Sequence, residues 1–359
     1  MDTKNKTSVF GTRLKLARKM AGMSLQNLSD KLENKVTKQS LNKYEIGLMN
    51  PTSEVLISLS GALDVKPDYF LKKETAELGQ ISFRKKMNLA KKDEEAIVEK
   101  TRNYLERYLE VESILAIDYK FSNPLKNHPI NCFEDAEKAA LILREYWELG
   151  LNPIANIVEM LELRGIKIFL INTVDEIDGF STITDNNIPL VMINTKDKSI
   201  ERIRFTIIHE LAHLLLILSD EIKANQRLEE EYCHYFSSCF LLPRKNLLQM
   251  IGGNKRTYIK INELINIKEY YGISLRAIVH RLKKIDIIND NYYRRWMVFM
   301  SKTYGQKNEP GEYKGVERSN NFMQLINIAL SEALISNSKA ASLCNLSTNE
   351  FRKLTSDVN

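Results

Sequence analysis

The residues best suited to chemistry lie in His209-Glu210-Leu211-Ala212-His213, inside the apolar run FTIIHELAHLLLIL. Histidines at i and i+4 of a helix stand on one face, one turn apart. Their imidazole nitrogens can both reach one zinc ion at about 2.0–2.1 Å. Glu210 leans toward the same ion and is placed to act as a general base in hydrolysis. The plain alternative is a buried helix whose His and Glu make ordinary polar contacts. The chain has only 5 His in 359 residues, so this spacing is not a by-product of composition. Burying two imidazoles and a carboxylate without partners is also costly.

A third ligand is expected downstream, in Leu228-Glu229-Glu230-Glu231-Tyr232-Cys233-His234-Tyr235-Phe236. A second, antiparallel helix there can bring one carboxylate to the metal. Glu230 shares a helical face with Cys233, His234 and Ser237, and is the preferred candidate. Glu229 and Glu231 read as solvated. Spacing alone leaves the three glutamates open, and His234 as well. His234 suits a ligand, a transition-state hydrogen-bond donor or a polar contact. Cys233 is a weaker ligand candidate, because thiolates favour structural zinc sites.

The run ERIRFTIIHELAHLLL, followed by EEYCHYFSSCFLLP, resembles the ImmA/IrrE family of metallopeptidases. Arg204-Phe205-Thr206, His209, Glu210, His213, Glu230, Cys233, Phe236, Leu241, Leu242 and Pro243 fall on its pattern. The resemblance spans roughly residues 80–355 and implies His209, His213 and Glu230 as zinc ligands with Glu210 as general base. Ala212 stands where the family commonly has Gly, and His234 where it usually has Asn. Zn²⁺ is the expected cofactor, with Mn²⁺ or another divalent ion as the alternative. His234, Tyr232 and Tyr235 are the candidates for oxyanion stabilisation.

The elements around these residues fit a zincin-like layout. Ile154 to Arg164 reads as a helix, and Gly165 to Ile171 alternates like a strand. Asp178-Gly179-Phe180-Ser181 reads as a turn or strand edge, and Ile188 to Asn194 as another strand. An edge strand beside the cleft could hold an extended substrate by β-addition. The bland alternative is that these strands only floor the fold. Lys91 to Ile117 and Glu134 to Leu149 are further helices.

The amino-terminal part is a separate module. Leu14, Leu16, Ala17 and Ala21 suit a first helix. Ser24 and Thr37 are N-caps for helices Leu25–Leu32 and Lys38–Tyr44, and Gly47 closes the latter. Pro51 opens a fourth helix, Glu54 to Leu63. Two short helices with a tight connection suit a helix-turn-helix. The wording resembles the XRE (Cro/C1-type) DNA-binding family through Arg13-Leu14, Ala17-Arg18, Met23-Ser24, Leu28-Ser29, Tyr44-Glu45-Ile46-Gly47, Pro51 and Ala62-Leu63-Asp64-Val65 with Tyr69-Phe70. Residues 1–75 hold 13 Lys/Arg against 8 Asp/Glu, and the whole chain is +6, so most of the excess sits here. A basic helix-turn-helix suits phosphate contacts. Lys38, Gln39, Asn42 and Lys43 are expected on the recognition helix, with Gln39 and Asn42 reading adenine. Arg13, Arg18 and Lys19 are expected to hold the backbone.

Length implies two or three domains. The expected segments are residues 1–72 (helix-turn-helix), 73–95 (linker), 96–250 (metallopeptidase) and 251–359 (helical, with a second helix-turn-helix-like pair at 261–284). Phe83-Arg84-Lys85-Lys86 reads as a solvated linker segment. His280, beside Arg281 and Lys283-Lys284, reads as an exposed packing residue. Glu309-Pro310-Gly311 is expected to end an ordered segment or to form a mobile loop. The fold class is multidomain and predominantly α, with an α+β zincin-like domain and an all-α N-terminal bundle. No apolar stretch reaches the ~18 residues of a membrane span, and MDTKNKTS lacks a signal core. Cys132, Cys233, Cys239 and Cys344 form no CxxC pair, which suits reduced thiols in a cytoplasm.

These readings together imply a DNA-binding regulator fused to a zinc endopeptidase that cleaves a specific partner. A cognate repressor cut under stress or mobile-element induction is the family's implied substrate. The alternative is a non-catalytic repressor or antitoxin that keeps the fold as an interaction surface. Expected partners are operator DNA and a protein such as a repressor or toxin, with a homodimer as one arrangement and no membrane.

Overall fold

The structure is a computed structural model that describes residues 8–73, 78, 90–174, 177–253 and 255–356. Phe83-Arg84-Lys85-Lys86 and most of the expected linker lie outside them. Two compact units form. One combines residues up to 119 with those from 320 onward, and the other is Lys120–Ser319.

The first unit opens with α1 (Val9–Met20), α2 (Leu25–Lys31), α3 (Lys38–Glu45), α4 (Ser53–Leu63) and a 3-10 turn at Pro67–Leu71. Each of the four α-helices starts at a hydroxyl cap. Ser8, Ser24, Thr37 and Thr52 accept from the backbone N–H three residues on, satisfying a donor that the helix itself cannot. Phe10, Leu14, Leu28, Leu41, Leu59, Leu63 and Phe70 form the shared core. Gly11 marks the closest crossing. A Cβ there would sit 2.5 Å from the Tyr44 carbonyl oxygen, so only glycine lets α1 lie against the end of α3. The 24-residue α5 (Lys91–Ile114) follows.

The second unit begins with β1 (Pro129–Ile130), α6 (Phe133–Tyr146) and α7 (Ile157–Glu162). Then come β2 (Lys167–Ile171), β3 (Gly179–Ile183) and β4 (Pro189–Asn194). β4 is central, parallel to β2 and antiparallel to β3. Asp178 precedes β3 and Ser181 lies inside it, so of the two readings, turn or strand edge, the segment takes the second. α8 (Ile200–Leu215) carries the HELAH residues, β5 (Ile217–Leu218) pairs parallel with β1, and α9 (Asp220–Lys223) leads to α10 (Gln226–Leu241). α8 packs on β3 and β4 and on α10. Ile203, Ile207, Ile208, Leu211 and Leu215 are buried in the main core with Phe236 and Phe240 of α10. This packing supplies stability that β-branched residues do not bring to an isolated helix.

α11 (Arg244–Ile251), α12 (Ile261–Tyr271), α13 (Leu275–Lys284) and α14 (Asp290–Tyr304) complete that unit. Leu264, Ile267, Leu275, Ile278, Val279 and Leu282 join the same core, so the second helix-turn-helix-like pair folds against the metal-helix unit. Arg281 is fully buried. Its guanidinium donates to Glu137 at 2.7 Å and to the Cys239 sulfur at 2.6 Å. His280 is half-buried, edge-on to Tyr293. Glu309 does not end an ordered segment. Its carboxylate accepts from the backbone N–H groups of Leu275 (2.7 Å) and Arg276 (3.1 Å), neutralising the start of α13.

α15 (Asn321–Ser331), α16 (Asn337–Leu343) and α17 (Thr348–Ser356) belong to the first unit. Leu325, Ile326, Ala329, Ala340, Leu343 and Phe351 cover Tyr108 and Val111 of α5. The compact units therefore divide the chain differently from the linear segments 96–250 and 251–359. The physical reason is burial: the apolar stripe of α5 is covered by α15–α17, while α12–α14 bury theirs with α10. No helix of the described residues is long and apolar enough to cross a membrane.

Candidate metal centre and nucleic-acid interface

α8 and α10 bring three expected ligands together. The Nε2 atoms of His209 and His213 are 3.2 Å apart, and His209 Nε2 is 3.2 Å from a Glu230 carboxylate oxygen. Donors about 2.0–2.1 Å from one ion in a tetrahedral arrangement lie about 3.3 Å from each other. Two imidazoles and a carboxylate at this spacing fit zinc. His209 is buried, and His213 and Glu230 are half-buried.

His213 is held by its other ring nitrogen. Nδ1 lies 3.3 Å from the Cys233 sulfur and 3.4 Å from a Glu229 oxygen. A carboxylate behind a ligating imidazole fixes the ring and the tautomer with its lone pair on Nε2. Glu229, read from sequence as solvated, thus touches the site. Glu231 pairs with Lys284 at 2.6 Å.

Glu210 is buried and accepts a 3.0 Å hydrogen bond from the Ser181 hydroxyl. Strand alternation places Gly179 and Ser181 on the same face of β3. At Gly179 a Cβ would lie 3.6 Å from Glu210 Cγ and 2.6 Å from the Met192 carbonyl oxygen. The glycine admits both the β4 backbone and the carboxylate. Ser181 had no role in the sequence reading, and no local pattern signals its contact with Glu210, 29 positions away on α8.

The three oxyanion candidates separate. On α10, Tyr232 and Tyr235 face away from the Glu230–His234 side. The Tyr232 hydroxyl donates to the Asn131 carbonyl at 3.3 Å, its ring stacked 4.4 Å from Phe133. The Tyr235 hydroxyl donates to Glu137 at 3.0 Å in the buried Arg281 cluster. Burial pushes both phenols above their ordinary pKa. Neither hydroxyl is placed for an oxyanion. His234 stays on the metal side, with its ring 4.4 Å from that of His209 and stacked on Phe205 at 5.8 Å. Its Nδ1 donates to the Glu230 carbonyl at 2.7 Å, which leaves Nε2 as the ring nitrogen outside that bond. One donor atom each from His209, Glu230 and His234 lie within 4.8 Å of one another.

In the first unit, Lys38, Gln39, Asn42 and Lys43 are exposed while Leu41 and Tyr44 are buried, so α3 presents a polar, cationic face. Arg13 and Arg18 do not join it. Arg13 is 2% exposed and pairs with Glu106 at 2.6 Å, donating also to the carbonyls of Lys72 and Lys73. Arg18 makes two bonds to Glu45, at 2.6 and 2.9 Å, and one to the Met23 carbonyl. A guanidinium committed to a carboxylate and to carbonyls is not available to phosphate. Both arginines tie the bundle together, and Lys19 lies 3.4 Å from Glu95.

Comparison with known proteins agrees with this division. Residues 14–70 match the family model described as "Helix-turn-helix", and residues 161–283 match the "IrrE N-terminal-like domain". An "Uncharacterized HTH-type transcriptional regulator YqaE" of Bacillus subtilis (strain 168) is 39% identical over 69 residues, covering 19% of this chain and 58% of the relative. The "SPbeta prophage-derived uncharacterized HTH-type transcriptional regulator YonR" of the same organism is 42% identical over 64 residues, covering 18% and 57%. The chain spans less than two thirds of either relative's length. It thus carries an N-terminal XRE-type helix-turn-helix domain followed by an IrrE-like domain of a metallopeptidase-type family, the ImmA/IrrE combination.

Proposed function

We propose that the second unit is a zinc-dependent endopeptidase acting on a specific partner protein, and that the first unit directs the chain to operator DNA. The observation that carries this reading is His209 Nε2, 3.2 Å from His213 Nε2 and 3.2 Å from a Glu230 oxygen, with Glu210 held by Ser181 beside them. Zinc on those three donors supplies Lewis acidity toward the scissile carbonyl and toward water. Glu210 accepts a proton from the attacking water and delivers it to the leaving amine. Ser181 fixes the carboxylate in the orientation for both transfers. His234 Nε2 faces the reacting carbonyl and stabilises its developing negative charge. The open edge of β3 pairs with an extended substrate segment, consistent with Ser181 standing on that strand.

A cognate repressor is the substrate class we favour, cut in a stress or mobile-element response. The prophage origin of one relative supports this. We assign the chain to the cytoplasm.

Metal content tests the reading. Purified wild type should carry about one zinc per chain, and His213→Ala should lose it by at least tenfold under equal dialysis. Zinc-free wild type whose melting temperature does not move on adding zinc would sink the proposal. On DNA, a Lys38→Ala/Gln39→Ala/Asn42→Ala variant should bind a duplex selected by the wild type at least tenfold more weakly. Its log Kd against log salt should be shallower by about 1, for the one cation removed. Unchanged binding would remove α3 from the interface.

A further inference from the structure

α16 and α17 are joined by residues 344–347, with Asn345 in the left-handed region at φ 57°. Ser347 and Glu350 form a complete capping box. The Glu350 N–H donates to the Ser347 hydroxyl at 3.1 Å, and the Ser347 N–H to the Glu350 carboxylate at 2.7 Å. Two short helices joined by such a turn have helix-turn-helix construction. Ala340 and Ala341 are buried at the crossing and Phe351 is fully buried beneath α17. Arg107 donates to the Leu343 carbonyl at 2.8 Å, fixing α16 on α5 in the unit that holds α3.

The outer face of α17 matches that of α3 at three exposed positions and one buried one, and differs where Lys38, Ser40 and the buried Tyr44 align with Thr348, Glu350 and the exposed Leu354. Counting from the capping residue, Thr37 corresponds to Ser347, and the buried Leu41 to the buried Phe351. The exposed Gln39, Asn42 and Lys43 correspond to Asn349, Arg352 and Lys353, all exposed. This is an amide and two cations at the positions from which a recognition helix reaches base edges and phosphates. The apolar part of the face is Leu354, 55% exposed, too little for an apolar protein-binding face.

We propose that α16–α17 is a second helix-turn-helix and that α17 inserts into duplex DNA as a second recognition helix. The inference goes beyond the peptidase reading and does not depend on it. Two such elements in one compact unit give one chain a two-part binding site. Asn349 is suited to adenine, Arg352 to guanine and Lys353 to phosphate.

The test uses the full chain and a pool of duplexes with a randomised core. Wild type should enrich a two-block motif. An Asn349→Ala/Arg352→Ala/Lys353→Ala variant should lose one block and keep the other. On the wild-type motif it should bind at least tenfold more weakly, with a salt dependence shallower by about 2. An unchanged thermal melt separates this from misfolding, because all three side chains lie outside the core. A second variant, Arg352→Lys, keeps the charge and should retain the salt slope while losing guanine preference. If the α17 variant enriches the same motif with the same affinity and slope, the proposal is overturned while α3 binding stands. If wild type enriches no motif, both recognition helices fail.

Discussion

Glu210→Gln should lower kcat for the proposed peptide hydrolysis by about 10²–10⁴-fold, the range for loss of a positioned general base, with zinc content unchanged. The amide keeps the volume and can still accept from Ser181, but it cannot take a proton. Ser181→Ala removes only the 3.0 Å hydrogen bond to Glu210 and should fall between this variant and wild type. It should lower kcat more than it raises KM, because its role is in orienting the base. The measurement is the rate at which the chain, loaded with zinc, cuts a repressor protein that it binds. Equal rates for Glu210→Gln and wild type would mean that the proton moves through another group.

The second large effect concerns stability. Arg204 is fully buried and donates to the carbonyls of Gly272 (3.1 Å), Ile154 (2.8 Å) and Tyr271 (3.3 Å). It also pairs with Glu317, whose other oxygen accepts from the N–H groups of Ile157 and Val158 at the start of α7. Its guanidinium lies 4.7 Å from the centre of the Tyr313 ring. Arg204→Met removes these donors and strands a buried carboxylate, so urea unfolding should show a loss of about 3–5 kcal/mol. Burial already pushes the Glu317 pKa above its ordinary value, opposed by Arg204. Without Arg204 it rises further. A carboxyl whose folded pKa is raised favours folding when protonated, so the variant's deficit should shrink as pH falls through that folded pKa and return as pH rises. Adding Glu317→Leu should recover much of the loss at neutral pH. A loss under about 1 kcal/mol would show that the pair contributes little.

Local signals in this sequence were legible and long-range ones were not. Ser24 and Thr37 declare their helices because a cap is a contact between residues three apart. The HELAH spacing places His209 and His213 on one face for the same reason. Glu230 needed a choice between adjacent glutamates, and helical periodicity made it. Arg13 and Arg18 read as phosphate contacts because a sequence shows an arginine's charge and not its partner. Glu106 lies 93 positions from Arg13, and Glu45 lies 27 from Arg18. Tyr232 and Tyr235 sit within five residues of Glu230, yet a helix turns them to the opposite side, toward Asn131 and Glu137. Ser181 was missed because its role appears only when β3 pairs with β4 and α8 crosses the sheet. Gly11 shows the same limit, since nothing local says that the end of α3 will press on it.

The return of α15–α17 to α5 has a consequence for biogenesis. The hydrogen bond from Asn321 to the Tyr108 hydroxyl closes a loop of 213 positions, and that from Arg107 to Leu343 one of 236. A ribosome adding about 5–20 residues per second leaves Tyr108 and Val111 uncovered for roughly 10–40 s. The intervening Lys120–Ser319 segment can gather its own core in that interval. The α5 half of the DNA-binding unit therefore closes last, and a nascent chain stalled just after Ser319 would display an unfinished regulator and a complete IrrE-like unit.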